Sequence, residues 1–223
     1  MPRTITVKGV GTISAKPDYV TLSMTLESRD KNYNKALDFT SQYIEELTQA
    51  LIAVDYAKED LKTTNFSVHI NYNHEKDEHG NWKNVFDAYI VTHNLKLEFD
   101  FNMKRLSTTL SAISGCESHP QISLAFTVKE PNTIKEDLLR HAADNARQKA
   151  EILCAASGVK LSTLLNIDYN WKDVNIYSNT RYMLAEKSRG VEASAMLSDT
   201  RLMDIEPENI ELNDSATFVW EIA

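Results

Sequence analysis

Apolar and polar residues alternate along several segments of the chain, and this period of two predicts β-strands. The clearest segment places apolar side chains at every second position from Val20 to Leu26, with Thr and Ser residues between them. The same alternation predicts further strands over residues 5–13, 66–72, 89–101, 122–128, 165–171 and 210–222. Asp214 interrupts the last of these segments, so a bend or an exposed stretch is expected there.

Three other segments repeat apolar residues at intervals of three and four, which predicts amphipathic helices. The first runs from Tyr33 to Val54, and a shorter one runs from Met103 to Ile113. The third begins at Pro131, whose missing N–H costs nothing in a first turn. It ends at Gly158, a residue type suited to the left-handed position after a helix.

The predicted elements favour an α+β fold with a mixed, mainly antiparallel sheet of long strands and with helices packed on one face. A polar tip at residues 74–83 joins two strands of a long hairpin, and strand–helix–strand crossovers favour parallel placement. Two such units, TLSMTLES to INYN and SLAFTVKE to IDYN, indicate an internal duplication. We expect a single domain over residues 1–223, with a long irregular segment at about 172–206.

Most predicted strands have one apolar face and one polar face, so helices are expected to cover only one side of the sheet. The other side then meets solvent or another subunit. We expect a second subunit to cover part of it, because a strand as long as 87–101 exposes an edge that needs protection.

Composition and charge narrow the function classes. The 223 residues carry a formal net charge of −8, which disfavours nucleic-acid backbones, and no basic run points to an anionic membrane surface. The opening MPRTITVKG lacks the apolar core of a signal peptide, and no segment is long enough to span a membrane. Cys116 and Cys154 lie far apart and are expected to be reduced thiols of a cytoplasmic protein.

The Gly9-x-Gly11 pair invites comparison with a phosphate-binding loop. A dinucleotide fingerprint needs a third glycine, which falls at Ser14, and a helix directly afterwards, whereas a turn at Pro17-Asp18 and a strand follow here. The glycines are instead predicted to form a trough on the apolar face of the first strand. We expect the small-residue stripe of the third helix, Ala142, Ala146 and Ala150, to lie in it.

The histidines and acidic residues form no convincing catalytic set. His74, Glu75, Asp77, Glu78 and His79 share the charged hairpin tip, which is read as a solvated loop rather than a metal site. His93, on an apolar strand face, is expected to be a packed histidine, and His119 and His141 to be structural or exposed. The sequence therefore predicts no catalytic residue, no metal and no cofactor, and an unrecognised hydrolase rests on nothing more than the presence of acids and histidines.

Three motifs together resemble the SIMPL-domain (YggE-like) family. The first is Val7-x-Gly9-x-Gly11 followed by Pro17-Asp18 and an alternating strand. The second is the helix with Ala142, Ala146, Ala150 and Ala155 that ends at Gly158-Val159, and the third is Ile205-Glu206-Pro207-Glu208-Asn209-Ile210 with the terminal strand. The resemblance covers essentially the whole chain, and it depends on the order and spacing of the motifs together.

The resemblance implies an α+β fold and large ring-like or cylindrical homo-oligomers. It also implies an association with stress tolerance in bacteria and a signalling-partner role in animals, and it supplies no catalytic residue. Two features depart from the family pattern. Many bacterial relatives carry a secretion signal, and Glu208 stands where a glycine usually follows the proline of the last motif.

Two functions follow as expectations. The first is a non-enzymatic, self-assembling cytoplasmic protein, a stress-related scaffold whose partner is itself, with room for an unidentified protein partner. The second is a small-ligand or metal-binding module that uses the 172–206 segment as a lid, with Trp171, Tyr177 and Tyr182 as its aromatic residues.

Overall fold

Eight β-strands and three α-helices make up the described part of the chain. The structure is a computed structural model that describes residues 3–76, 80–169, 174–184 and 205–223, with the backbone alone at 181–184. Its strands are β1 (Thr4–Ala15), β2 (Tyr19–Asp30), β3 (Lys62–Lys76), β4 (Trp82–Asp100), β5 (Gln121–Thr127), β6 (Leu161–Asp168), β7 (Tyr177–Leu184) and β8 (Ile210–Ile222). Its helices are α1 (Tyr33–Ile52), α2 (Met103–Ser114) and α3 (Pro131–Ala156).

The chain divides into two compact units. The first unit comprises Met1–Asp18, Phe126–Thr180 and Pro207–Ala223, and the second comprises Tyr19–Ala125 and Arg181–Glu206. One sheet has the strand order β1-β8-β6, and the other has the order β3-β4-β2-β5-β7. The pairs β1–β8, β2–β4, β3–β4 and β6–β8 are all antiparallel, so the predicted α+β class with a mainly antiparallel sheet is confirmed. The single domain over 1–223 stays a prediction.

In the first unit, α3 covers one face of the sheet formed by β1, β8 and β6. Strands β1 and β8 pair in an unbroken register, from Thr4 opposite Glu221 to Ala15 opposite Ile210. Alternate side chains of β8 pack towards α3 and are buried, and Phe218 stacks on Trp220 with ring centroids 5.5 Å apart. Alternation in the sequence thus becomes one buried face and one exposed face.

Helix α3 begins and ends as its sequence predicts. Pro131 occupies the first turn, and the helix stops at Ala156 with Ser157 as its C-terminal cap. Gly158 follows with a φ of 70°, and the N–H of Val159 donates to the Cys154 carbonyl at 3.0 Å. The left-handed glycine lets the chain reverse and enter β6.

In the second unit, α1 packs against β2 and β4, and α2 packs against α1. The side chain of Asn32 caps α1 by accepting hydrogen bonds from the N–H groups of Asn34 and Lys35. A buried Ser28 hydroxyl on β2 donates to the Ala36 carbonyl of the helix at 2.7 Å. The apolar face of β2, from Val20 to Leu26, is at most 1% exposed and forms the centre of this core.

The two strand–helix–strand units of the predicted internal duplication have different positions in the sheets. Strands β2 and β3 are both antiparallel to β4, which lies between them, so they run in the same direction. Strands β5 and β6, which flank α3, belong to different sheets. The predicted duplication therefore does not extend to the pairing of the strands.

The bend expected at Asp214 is absent. Strand β8 continues through this residue, which pairs with Gly11 without a shift in register. The Tyr169 hydroxyl donates to the Asp214 carboxylate at 2.7 Å, and the N–H of Ser215 donates to it at the same distance. These two donors satisfy the carboxylate, so the charge does not interrupt the strand.

Several strands also differ from the prediction. The hairpin strands β3 and β4 extend into the polar tip as far as Lys76 and Trp82. Strand β7 (Tyr177–Leu184) lies within the segment at about 172–206 that the sequence predicts to be irregular. In β6, two register shifts interrupt the pairing with β8, and Leu165 and Ile167 of its predicted apolar face are 48% and 52% exposed.

Candidate assembly surface

The β3–β4 hairpin carries a set of large apolar side chains that the described part of the second unit leaves exposed. We call it the aromatic strip. Its members are 41–69% exposed, namely Phe66, Ile70, Tyr72, Trp82 and Phe86. Single exposed apolar residues are ordinary on protein surfaces, but a contiguous set on one hairpin is typical of an interaction surface.

The register of the hairpin brings the strip to one face. Phe66, Val68 and Ile70 stand opposite His93, Val91 and Tyr89, which belong to the helix-covered face of β4. Further along, Tyr72 pairs with Phe86 and Lys76 pairs with Trp82. The Phe86 ring meets the Tyr89 ring edge to face, with centroids 5.3 Å apart, so both halves of the hairpin contribute to the same surface.

A β-bulge makes this arrangement possible. Asp87 is an extra residue in β4, because Asn71 pairs with Ala88 and Tyr72 pairs with Phe86. Its carboxylate accepts hydrogen bonds from the Asn71 side chain at 2.6 Å and from Arg29, with which it forms an ion pair. The bulge turns Phe86 onto the face of Tyr89, which strict alternation along β4 does not predict.

Strand β3 is also the edge of its sheet. Among the residues that the structure describes, it pairs with β4 on one side only, and nearly all of its residues are exposed on both faces. Between the irregularity at Thr64 and the one at Asn71, its register is regular over residues 65–71. An edge of this length presents a row of free N–H and C=O groups to a further strand.

The edge strand β1 of the first unit is protected in a way that β3 is not. Side chains of α3 reach its outer backbone at three successive helical turns. Asn145 accepts the N–H of Val10 at 3.0 Å, Lys149 donates to the Lys8 carbonyl at 3.2 Å, and His141 lies 3.3 Å from the Thr12 carbonyl. These contacts occupy one backbone group at each of Lys8, Val10 and Thr12, so they hinder the pairing of a further strand with β1.

The charge of the β3 edge is compatible with the approach of a second copy. The segment 62–74 contains no Asp or Glu, as is also true of residues 1–17, which include β1. Two copies of a chain with a net charge of −8 repel each other, and this repulsion is reduced where carboxylates are absent. Charge therefore permits contact at the β3 edge without distinguishing it from the β1 edge.

His93 packs against the Phe66 ring of the aromatic strip. It is a packed histidine, as its sequence position suggests. The side chain is 7% exposed, its Nε2 lies 2.8 Å from the Thr63 hydroxyl of β3, and Phe66 meets its ring edge to face at 5.2 Å. Its Nδ1 is buried without a hydrogen-bond partner. Burial disfavours the charged ring and lowers the pKa of His93 below its ordinary value of 6.5.

His93 is expected to make stability depend on pH. Below about pH 6.5 the unfolded chain binds a proton at this ring and the folded chain does not, so the free energy of unfolding falls as the pH falls. His93→Gln removes this contribution, and the stability gap between the unmodified chain and the variant should narrow between pH 7.5 and 5.5. Chemical denaturation at several pH values measures the gap, and a gap that stays constant contradicts the assignment.

The predicted glycine trough and alanine stripe lie against each other in the first unit. A Cβ added to Gly9 falls 2.0 Å from the Ala142 carbonyl oxygen and 2.7 Å from the Ala146 Cβ. One added to Gly11 falls 2.0 Å from the Leu138 carbonyl oxygen. Ala150 is fully buried one turn further along α3. These residues position α3 on β1, and with it the side chains that hinder pairing at the β1 edge.

The other predicted structural residues sit at chain connections. The N–H of Asp18, next to Pro17, donates to the Thr127 carbonyl at 3.1 Å, and the Asp18 carboxylate accepts the N–H of Lys129 at 2.8 Å. Pro207 is buried. Two hydroxyls of β7 bind the backbone of Glu208. The Ser178 hydroxyl donates to the Glu208 carbonyl at 2.8 Å, and the N–H of Glu208 donates to the Thr180 hydroxyl at 3.0 Å. These bonds fix the backbone at the position where the family usually has glycine.

The remaining candidate residues do not come together. His74 and Glu75 lie in β3, whereas Asp77, Glu78 and His79 fall outside the described residues. His119 has a φ of 40° in the turn before β5. Within the ranges that the structure describes, no group of three or more His, Cys, Asp or Glu side chains has the arrangement of a metal site.

The predicted lid falls largely beyond the described ranges. Trp171 and residues 185–204 lie outside them, as does the side chain of Tyr182, and Tyr177 is 47% exposed. Both cysteines are free and buried, and burial together with the nearby Glu46 carboxylate raises the pKa of Cys116 to about 11. No helix in the described ranges has the length and hydropathy needed to cross a membrane.

Comparison with known protein families identifies the family of the chain. A family model described as SIMPL, protein of unknown function (DUF541), matches residues 5–220. No curated protein matches the chain. The match spans both compact units, so it covers the glycine trough and the β3–β4 hairpin alike.

Proposed function

Because the chain belongs to the SIMPL family, whose model names no activity, we propose a function from the assembly surface itself: the protein self-assembles through the β3 edge. It acts as a scaffold whose first partner is a second copy of the same chain, rather than as a catalyst. The observation that carries the proposal is the β3 edge, which no other described strand covers, with the aromatic strip beside it. The cytoplasmic and stress-related setting stays a prediction.

The strip adds apolar area to a contact at the β3 edge. Its five members are 41–69% exposed, and with about 150–250 Å² per large side chain they leave roughly 500 Å² of apolar surface open on each chain. Covering the whole strip on both copies gives an upper bound on the order of 1,000 Å² before the strand backbone is counted, because Trp82 and Phe86 lie on β4, one strand away from the edge. That bound equals the lower limit expected for a specific protein–protein interface, so the paired backbone of β3 has to contribute as well.

The polar face of the same sheet is less suited to such a contact. Its side chains already bond to each other across β2 and β4: the Thr21 hydroxyl donates to Glu98 at 3.2 Å, and the Thr25 hydroxyl donates to Asn94 at 3.0 Å. Lys96 forms an ion pair with Glu98 at 3.1 Å. Covering these groups removes water from polar side chains and adds little apolar burial. The proposal therefore places the contact at the edge and not on the polar face that the sequence favours.

Hydrogen exchange at two protein concentrations tests the proposal. In the assembled protein, half of the amides of residues 65–71 become bonded to a second strand and exchange slowly. Dilution separates the copies, and these amides should then exchange faster while those of the β2 core do not change. The Val10 amide of β1 is the internal control, because its bond to Asn145 of α3 lies within one chain and is present at every concentration. Equal exchange of 65–71 at high and low concentration would overturn the proposal.

A further inference from the structure

The regular stretch of the β3 edge is self-complementary about Val68. Residues 65–71 read Asn-Phe-Ser-Val-His-Ile-Asn. On either side of Val68 the residues match in kind: Ser67 with His69, Phe66 with Ile70, and Asn65 with Asn71. A strand with this pattern presents the same order of polar and apolar side chains when it is read in either direction.

We propose that two copies pair antiparallel through β3, about a two-fold axis at Val68, and so join their five-stranded sheets into one continuous sheet. Phe66 of one copy then stands opposite Ile70 of the other, Ser67 opposite His69, and Val68 opposite its own counterpart. This pairing rests on the proposed self-assembly and specifies its symmetry, register and contacts. A two-fold contact is isologous, so the same patch serves both copies.

The need to keep the apolar side chains on one face excludes every register that is shifted by an odd number of residues. Phe66, Val68 and Ile70 lie on the helix-covered face, since they stand opposite His93, Val91 and Tyr89 of β4. Centring on Val68 brings the apolar side chains of both copies to that one face and extends the aromatic strip across the junction. A slip of one residue sets Phe66 opposite a polar residue and separates the apolar sets, which costs the cross-strand contacts.

Charge favours one direction of pairing. Asp60 and Lys62 lie at one end of β3, and Glu75 and Lys76 lie at the other. In the antiparallel register about Val68, Asp60 of each copy comes opposite Lys76 of its partner, whereas parallel pairing in register sets each charged residue against its own counterpart. The antiparallel arrangement therefore avoids the repulsion between like charges.

The irregularities of β3 define the length of the contact. Thr64 is an extra residue in β3, since Thr63 and Asn65 pair with the adjacent residues Leu95 and Asn94. At the other end the bulge at Asp87 shifts the hairpin between Asn71 and Tyr72. The seven residues between these points form the regular run, and Val68 lies at its centre. The midpoint of the regular backbone is thus one of the positions that the side-chain pattern allows for the axis, and it selects Val68 among them.

Cysteine pairs placed by this register provide the test. Ser67→Cys and His69→Cys chains, each exposed at the changed position, are mixed under a mild oxidant. The register predicts a disulfide between the two different chains, because residues 67 and 69 are opposite each other. Each variant alone should cross-link far less. Val68→Cys should cross-link with itself, and Cys116 and Cys154 do not compete because both are buried.

The outcomes separate the register from the proposed function. Sedimentation of the reduced variants reports whether the chains still associate. Association without the 67–69 cross-link, or with equal cross-linking in every combination, overturns the register and leaves self-assembly in place. A single-chain mass for all variants and for the unmodified protein overturns both. If Val68→Cys fails to fold, the mixture of Ser67→Cys and His69→Cys chains still tests the register, because both of these positions are exposed on the surface.

Discussion

Gly11→Ala is expected to lower the free energy of unfolding by about 3 kcal/mol, at the upper end of the usual cost of overpacking. The added Cβ would lie 2.0 Å from the Leu138 carbonyl oxygen and 3.0 Å from the Ala142 nitrogen. Both are backbone atoms of α3, so no side-chain rotation relieves the overlap, and the helix has to move away from β1. For a chain of this size the loss corresponds to a fall in Tm of roughly 6–12 °C.

Gly115→Ala is the matched control for this change. Gly115 caps α2 with a φ of −76°, and a Cβ there meets its nearest atom at 3.5 Å, an ordinary contact. The same chemical change is therefore expected to alter stability by less than about 0.5 kcal/mol. Thermal and denaturant unfolding of both variants at low protein concentration measure the difference. A Gly11→Ala variant as stable as the control would contradict the close packing of α3 on β1.

Ile70→Lys is expected to abolish self-association while leaving the single chain folded. Ile70 lies in the edge run and is 44% exposed, so a lysine there keeps its charge in water in the separate chain. In the assembly the charge is placed against apolar side chains, and lysine on an edge strand is a common natural protection against pairing. The change occurs once on each copy. A cost of about 2 kcal/mol at each site raises the Kd by roughly 1,000-fold.

Val10→Lys is the matched control for the assembly variant. Val10 lies on another edge strand, β1, and is 38% exposed, close to the exposure of Ile70. Because the side chains of α3 hinder pairing at that edge, a lysine there is expected to leave association unchanged. If Val10→Lys disrupted association as strongly as Ile70→Lys, the effect would come from added charge in general and not from the β3 edge.

Local patterns in the sequence predict much of the fold. Alternation identifies the long strands, and the three- and four-residue spacing identifies the helices. The small residues Gly11 and Ala142 indicate a close helix–strand contact because only small side chains permit it. These features depend on neighbours along the chain, or on residue volume, and a single sequence displays them directly.

The exposure of β3 to solvent cannot be predicted from the sequence in this way. Phe66, Val68 and Ile70 alternate as regularly as the buried residues of β2, since a period of two indicates an apolar face but not what covers it. The covering depends on where α1 ends relative to the sheet, which is set by tertiary packing. The bulge at Asp87 and the contact of Asn145 with β1 also join residues far apart in sequence. The sequence shows polar residues at 141, 145 and 149, one turn of α3 apart. This pattern is the same as that of an ordinary solvated helix face, so it does not predict contacts with the β1 edge.

The most direct test of the β3 edge as the assembly surface is sedimentation velocity of the unmodified chain beside the Ile70→Lys and Val10→Lys variants over a wide range of concentration. We predict at least twice the mass of one chain for the unmodified protein and for Val10→Lys at high concentration, returning to one chain on dilution. Ile70→Lys should have the mass of one chain throughout. A single-chain mass for the unmodified protein at every concentration, or equal assembly of all three proteins, would contradict the account.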